Sequence, residues 1–361
     1  MQREAWTIAR AGSLDRLERR ADTLGPPGPG EARIRVHAIG LNFADVFACL
    51  GLYSATPRGP FVPGLECAGV VEALGPPVET GAGGTTASPP FSAGDRVIAL
   101  TRFGAYATAL NVRTTYLHRM PADWDFTQAA AWPVTALTAW YGLRRLARVE
   151  AGDCVLVQSA AGGVGLAALG LLDATGAHVV ATVGHDGKRE FLLRGYRLTP
   201  GAVLVRDSRR FGEQLDLALR SIGRSGFDVI FDAVAGPCFR AAYDRLRPEG
   251  RYVLFGAADF MPHRSRPGYV RLAWKYLTRP RLDPLAMIAQ NRSVMAFNLI
   301  WLWDEAARLP EAIGQTSPLV PAPHVGRQFD FADAPAAMRY LQSGDSIGKV
   351  VLVVRDEPAA A

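Results

Sequence analysis

The sequence predicts an α/β protein in which a doubly wound parallel sheet domain is joined to a second, β-rich domain. Three observations carry this. Between residues 154 and 257 apolar strand-like runs alternate strictly with helix-like runs, the pattern of a parallel sheet covered by helices on both faces. Upstream, to about residue 118, short strand-like runs sit between Gly- and Pro-rich turns, the pattern of an all-β unit. The length of 361 residues is about twice that of a common single domain.

The elements justify this in order. Residues 31–39 (EARIRVHAI) alternate as a half-buried strand, and 67–74 (CAGVVEAL) and 95–100 (DRVIAL) add two more. Between them, 76–90 has almost no apolar bulk and reads as a flexible surface loop. The texture changes near Thr127. Residues 127–147 read as one helix ending in Arg144, Arg145 and Arg148, cations suited to a helix C-terminus. Strands at 154–158, 178–183, 202–205, 228–234 and 251–257 then alternate with helices at 164–175, 187–195, 210–222 and 237–246. A sixth strand is VMAFNL (294–299). The tail gives helices at 305–313 and 334–343 and a last strand KVVLVV (349–354), which rejoins the β-rich part. The division expected is 1–131 with 305–361, and 132–304.

Composition narrows the classes. With 49% hydrophobic and 20% charged residues, 37 Gly and 25 Pro, a disordered chain, a coiled coil and a small disulfide scaffold are excluded. The net charge of +6 is small for the length and scattered, which argues against nucleic acid as a partner. Lysine is rare: Lys188, Lys275 and Lys349 stand against 37 Arg. The four Cys (49, 67, 154, 238) form no C-x-x-C pair and read as buried reduced thiols. The start, Met1-Gln2-Arg3-Glu4, lacks an apolar signal region. The uncharged runs 126–143 and 154–172 contain Pro133 and several glycines and read as core elements rather than membrane spans. The expectation is a cytoplasmic protein.

The strongest chemical signal is Ala160-Ala161-Gly162-Gly163-Val164-Gly165, which follows the strand at 154–158 and opens the next helix. It matches G-x-G-x-x-G with Ala160 in place of the first glycine. Gly162 lets the backbone approach a pyrophosphate, Gly165 lets helix and strand pack closely, and the helix N-terminus presents free N–H groups to phosphate. Where an NAD site places an acid at the end of the second strand, this chain has Thr182-Val183-Gly184-His185. Gly184 leaves room for a 2′-phosphate, and Lys188 and Arg189 follow to neutralise it. Asp186 would reach a ribose only if the loop shifted. The cofactor expected is therefore NADPH.

The runs GLNFADVFACLGLY (40–53), VPGLECAGVV (62–71), GDRVIAL (94–100), ALTAW (136–140) and AAGGVG (160–165) resemble the medium-chain dehydrogenase/reductase superfamily, and within it the zinc-independent quinone oxidoreductases. NRSVMAFNL (291–299) and SIGKVVLVV (346–354) look most like the VAT-1 homologue branch. The resemblance covers nearly the whole chain. It implies a Rossmann cofactor domain and a GroES-like catalytic domain. Zinc members carry a metal Cys where this chain has Asn42, and a His-Glu pair where it has Leu65-Glu66. Neither Asn nor Leu replaces Cys or His on Zn²⁺, so no metal is expected.

The resemblance further implies an oxidoreductase passing hydride to a quinone, an enone or another small molecule with a conjugated carbonyl. By this carry-over Tyr53 is the acid or oxyanion donor, Asn42 a donor to substrate or nicotinamide amide, and Asp45 a loop-orienting residue. Tyr53 could equally be a turn aromatic beside Gly51. The cofactor set is Asn42, Thr138, Ala161, Gly162, Gly163, Val164, Gly184, Lys188, Phe255, Gly256, Phe297, Asn298 and Lys349. Ser208 stands where many members have Tyr near the adenosine phosphate, with Arg206, Arg209 and Arg210 close by to compensate. A homodimer paired through 294–299 is implied. From 260 to 282 there are six basic residues, no acidic ones, and Tyr269, Trp274 and Tyr276 interleaved. That segment reads as an anionic-substrate entrance, a membrane-surface helix or a plain exposed basic face. Two alternatives stay open: a dedicated biosynthetic enoyl reductase, and a non-catalytic lipid- or nucleic-acid-binding protein on the same fold.

Overall fold

The computed structural model describes residues 1–78, 90–301 and 308–355. Most of the loop at 76–90 and the start of the helix expected at 305–313 lie outside the described residues. In chain order, β1 (Gln2–Ile8) and β2 (Leu17–Thr23) pair as an antiparallel hairpin. β3 (Glu31–Gly40), α1 (Phe43–Cys49), β4 (Glu66–Leu74), β5 (Arg96–Leu100), β6 (Ala109–Arg113) and β7 (Leu117–Arg119) follow. Two short helices, α2 (Phe126–Ala131) and α3 (Pro133–Trp140), lead into the alternating part. That part runs β8 (Cys154–Val157), α4 (Gly163–Thr175), β9 (His178–Val183), α5 (Asp186–Gly195), β10 (Val203–Val205), α6 (Phe211–Ser221), β11 (Phe227–Asp232), α7 (Cys238–Tyr243) and β12 (Leu246–Leu254). Then come α8 (Tyr269–Leu277), α9 (Pro284–Gln290), β13 (Ser293–Ala296), α10 (Leu309–Thr316), β14 (Val325–Asp330), α11 (Ala334–Ser343) and β15 (Lys349–Val353).

Two larger sheets organise the described residues. One is parallel, in the order β10-β9-β8-β11-β12-β13. The chain moves outward from β8 in one direction, then returns and moves outward in the other. The crevice at the carboxyl ends of β8 and β11 is thus the topological switch point, where such sheets bind ligands. The other sheet runs β14-β15-β3-β4-β5-β7, with β6 also on β3. The last strand returns to the first part as expected, pairing Val351 with Gly40 and Leu352 with Ile39. Separate apolar cores fill the β-rich part, around Trp6, Ile34, Ile39 and Tyr106, and one face of the parallel sheet, around Phe211, Phe227 and Tyr252. A third core joins α2, α3 and α4 to the parallel strands and to Val351.

Several expected elements are corrected. The single helix at 127–147 is three segments. Asp125 and Gln128 form a capping box that starts α2, but Pro133 lacks an N–H and restarts the chain as α3. A π-helical turn covers Tyr141–Leu146. The strand expected at 251–257 begins at Leu246 and ends at Leu254, so Phe255 and Gly256 lie beyond it. The strand expected at 294–299 ends at Ala296, leaving Phe297 and Asn298 free of the ladder. The hairpin β1–β2, α1 and β14 were not distinguished in the sequence. The basic segment forms α8, of which no residue is buried. All four cysteines are free and buried.

Candidate functional site

The glycine-rich turn leaves β8 at the switch point. Ser159 takes φ +57°, and the Ala160 N–H donates to Thr182 O on β9 (2.9 Å). Gly162 is the N-cap of α4. At Gly165 a Cβ would stand 2.5 Å from both Ser159 O and Ala160 O, so only glycine lets α4 start this close to the turn. Gly163 and Val164 therefore present free N–H groups in the first turn of a thirteen-residue helix, an anion cradle, while the Gly162 N–H donates to Ser159 O (3.0 Å).

At the end of β9, a Cβ on Gly184 would meet nothing within 4 Å. Arg206 lies beside it, because β10 pairs Val205 with Val183 and the Arg206 N–H donates to Val183 O (2.9 Å). The Arg206 Nη1 is buried without a hydrogen-bond partner. Lys188, on α5, is buried, and its Nζ donates to Gly344 O at the end of α11 (2.5 Å). Burial pulls the Lys188 ammonium below its ordinary range; Asp345 opposes that shift and the Arg206 charge adds to it. Asp186 is exposed in the first turn of α5. The expectation of Lys188 as a surface phosphate ligand thus meets a side chain already bonded across to α11. The buried guanidinium nitrogen without a hydrogen-bond partner belongs to Arg206, whose charge also favours the ionised form of the buried Asp232 at the end of β11 and which was named from sequence only as an auxiliary. Its signal was its place one residue past the strand that pairs with β9.

At the other end of the crevice, Phe255 stacks on Phe231 (centroids 4.1 Å apart) and Phe297 lies 6.1 Å from Phe255. Gly256 packs against Ala233. The Tyr53 hydroxyl donates to Asn298 Oδ1 at 2.8 Å, 245 residues away in sequence. This bond joins the turn after α1 to the loop after β13. Burial pushes the Tyr53 phenol up to about 12, opposed by that hydrogen bond. Tyr53 therefore stays protonated near neutral pH and is a donor rather than a base.

Beneath this lies a buried polar network. Glu66, the first residue of β4, is fully buried. Its Oε2 accepts from the Val134 N–H in the first turn of α3 (2.8 Å). Its Oε1 accepts from Asn42 Nδ2 (2.8 Å) and lies 2.6 Å from Lys349 Nζ. Lys349 also donates to Asn42 Oδ1 (2.6 Å). Gly40 makes room, since a Cβ there would approach Glu66 Oε1 to 2.6 Å. Asn42 caps α1, and its N–H donates to Asp45 Oδ2 (2.8 Å), which also accepts from the Tyr106 hydroxyl (3.3 Å). Asp45 is fully buried and its other oxygen has no hydrogen-bond partner. Burial raises its carboxyl to about 7, with the Asn42 N–H and the Lys349 charge opposing. Thr138 sits on α3 one turn beyond Val134, also buried.

The fold thus gathers Tyr53, Asn298, Phe255, Gly256 and Phe297 at one end of the crevice, and Gly184 and Lys188 at the other, with the glycine-rich turn between. The Asn42 carboxamide meets its expected role as a substrate donor with both polar atoms already engaged. Glu66 was considered only as half of an incomplete zinc pair, and its burial and bonding are invisible in sequence.

The alcohol dehydrogenase GroES-like domain model matches residues 28–122, and the zinc-binding dehydrogenase model matches 201–352. Over 327 residues the chain is 31% identical to the synaptic vesicle membrane protein VAT-1 homolog of Danio rerio, spanning 90% of this chain but 64% of that protein. It is 30% identical to the human VAT-1 homolog over 350 residues, 95% of this chain and 84% of that one. It is also 32% identical over 347 residues to highly-reducing polyketide synthase 1 of Aureobasidium melanogenum, covering 96% of this chain and 14% of the synthase. Among solved structures, the human VAT-1 homolog-like protein superposes with a TM-score of 0.79 at 26% identity, covering 99% of this chain and 100% of that one. The quinone oxidoreductase of Thermus thermophilus, solved also with NADPH, gives 0.75 at 30% identity, covering 97% and 99%. The chain belongs to the medium-chain dehydrogenase/reductase family and is an oxidoreductase of that class. Within the class its relatives are the VAT-1 homologues and the quinone oxidoreductases.

The zinc in the name of one matching model finds no fitting donors here. Asn42 and Leu65 are not zinc ligands, and both Glu66 oxygens are engaged by Lys349, Asn42 and Val134. Among the described residues no group of three or more His, Cys, Asp or Glu could hold a metal. No helix among them is long and apolar enough to cross a membrane.

Proposed function

We propose that this protein is a zinc-independent, NADPH-dependent reductase of double bonds conjugated to a carbonyl: quinones, enones or related acceptors. The observation that carries this reading is the Tyr53 hydroxyl at the nicotinamide end of the crevice, bonded across it to Asn298. Arg206, whose backbone pairs beside Gly184 and whose Nη1 has no hydrogen-bond partner, is the cation for a 2′-phosphate, and the cradle at the start of α4, Gly163 and Val164, takes the pyrophosphate. Bound there, the cofactor supplies a hydride to the β-carbon of the acceptor. Phe255 and Phe297 exclude water from that end. Tyr53, protonated, exchanges its bond to Asn298 for one to the acceptor oxygen and holds a proton against the charge that grows there. Asp45 fixes the Asn42 backbone at the start of α1 and so the loop bearing Tyr53.

We place the division into catalytic and cofactor domains at 131/132 and at 304/305, the second of which lies outside the described residues. Of the two end strands of the parallel sheet, β10 and β13, we assign β13, whose flanking segments carry exposed Leu285, Ile288 and Trp301, to a two-fold interface in a homodimer. A second reading, reduction of an enoyl thioester, is favoured by the polyketide synthase match. One experiment tests both readings of the reaction: NADPH oxidation followed against a panel of quinones, enones and enoyl thioesters, with NADH as control. Oxidation with none of them would refute the assignment and leave a binding role.

A further inference from the structure

The turn that follows β5 takes no part in the mechanism above, yet it is held at the acceptor end of the crevice from both sides. On the catalytic side, the Thr101 N–H donates to Leu65 O (2.8 Å), its hydroxyl to Gly64 O (2.9 Å), and the Gly104 N–H to Val62 O (2.9 Å). Phe103 takes φ +91°, a value that a bulky residue rarely adopts, and its ring meets Phe61 edge-on with centroids 5.5 Å apart. Arg102 is thereby fixed beside the segment 61–65 that follows the Tyr53 loop. On the cofactor side, the Arg102 guanidinium carbon lies 5.5 Å from the centre of the Trp301 ring. The Trp301 N–H donates to Asn298 O (3.1 Å), and Asn298 is the residue whose carboxamide accepts the Tyr53 hydroxyl. Tyr53 and Arg102 thus both reach across the crevice to the loop after β13. The segments that meet there carry one sign of charge. Residues 50–64, 99–108 and 297–301 contain Arg58 and Arg102 and no Asp or Glu. Both arginines are exposed, and among the described residues neither has a carboxylate partner. A guanidinium set over an aromatic ring keeps its in-plane N–H groups for an anion.

We propose that the acceptor carries a carboxylate apart from its conjugated carbonyl, and that Arg102, set on Trp301, is the specificity-determining residue that binds it. This rests on the reductase reading and narrows its acceptors from conjugated carbonyls in general to anionic ones. Tyr53 takes the carbonyl oxygen and Arg102 takes the carboxylate. With both ends of the acceptor held, its β-carbon is presented to the cofactor in one orientation. No bond to Arg102 changes in the reaction: the guanidinium stays protonated throughout, and its part is to hold the acceptor. The positive mouth also draws anions in from solution, an effect that salt screens.

The test uses two acceptors of nearly one shape: 4-phenylbut-3-en-2-one bearing either a carboxylate or a carboxamide at the para position of its ring. At low salt the wild type should reduce the carboxylate with a kcat/KM about fivefold above that of the carboxamide, the scale of one well-placed, partly solvated ion pair. Most of the difference should lie in KM, and it should shrink as salt is added. In Arg102→Gln the ratio should fall to about one, and in Arg102→Glu it should invert. Arg102 is exposed, so both variants should fold, which an unchanged melting temperature checks. A wild type that treats the two acceptors alike, an Arg102→Gln protein that keeps the wild-type ratio, or an Arg102→Glu protein that still favours the carboxylate overturns the inference. If the wild type reduces neither compound, calorimetric titration of both into the protein with oxidised cofactor decides the matter without turnover. A preference for the carboxylate that Arg102→Gln abolishes then supports the inference while the reductase reading fails, and equal affinities overturn it.

Discussion

Replacing Arg206 by Ala should convert a protein that prefers NADPH into one that hardly distinguishes the two cofactors. The free protein holds the Arg206 Nη1 buried without a hydrogen-bond partner, on a residue whose backbone pairs beside Gly184 and whose charge acts on both a second cation, Lys188, and the buried Asp232. A 2′-phosphate placed there would satisfy the nitrogen and relieve the repulsion between the two cations. Hydrogen bonds to a charged group contribute about 1.5–3 kcal/mol. Arg206 is only partly buried, and solvent screening puts the value at the lower end, so the NADPH Kd should rise about 10- to 30-fold. The NADH Kd should move less than twofold, since NADH has no group at that place. Lys188→Ala should also raise the NADPH Kd and spare NADH, but it additionally removes the bond to Gly344 and should lower the melting temperature, which Arg206→Ala should not. Calorimetric titration of both cofactors into the three proteins makes the comparison without turnover. Equal losses for NADPH and NADH, or a wild type that binds NADH as tightly as NADPH, would refute the reasoning.

Four other outcomes are expected. Tyr53→Phe removes one donor worth about 2–4 kcal/mol to a transition state and should lower kcat on enones about 10²-fold, less on quinones, with the NADPH Kd unchanged; wild-type enone rates would make Tyr53 a turn residue. Chelators should leave activity and melting temperature unchanged, and elemental analysis should find no stoichiometric zinc; a required metal would contradict this. Light scattering at micromolar concentration should report a dimer, and a charged residue at Val294 on β13 should give monomers. Asp45 is raised to about 7 in the fold from 3.8, so the folded state binds the extra proton between those values and stability falls as pH rises through that window. The fall attributable to Asp45 is at most ~4 kcal/mol, and Asp45→Asn should flatten the dependence of denaturant midpoint on pH between 4 and 8.

The legibility of the site in the sequence followed the range of the interactions that build it. Ala160 to Gly165 announced itself because a turn so close that a Cβ on Gly165 would stand 2.5 Å from the Ser159 and Ala160 oxygens requires glycine and leaves that mark in the sequence. Gly184, where a Cβ would meet nothing within 4 Å, was legible for a different reason, as a missing acid at a fixed place after a strand. Tyr53 and Asn298 were both named, through resemblance, but the bond between them spans 245 residues and no spacing encodes it. For the segment of α8 the sequence left a membrane-surface helix open beside two other readings, because its apolar residues are largely exposed and leave no core-facing stripe: Val270 is 87% exposed. The run at 127–147 misled because apolar periodicity continues through Pro133, while the missing N–H there does not let one helix do so.

By itself the sequence determined the two-part α/β plan, the parallel strands, the nucleotide turn and the absence of zinc-type ligands at residues 42 and 65, because each depends on residues that are neighbours in the chain or repeat with a regular period. Only the tertiary structure decided what the charged groups do. It turned Lys188 away to Gly344, buried the Arg206 Nη1 without a hydrogen-bond partner among the described residues, and brought Lys349 from the last strand against Glu66 and Asn42. A buried charge takes its partner from whatever the folded chain places within about 3 Å, and that proximity is set by the return of β15 to β3 rather than by any local pattern.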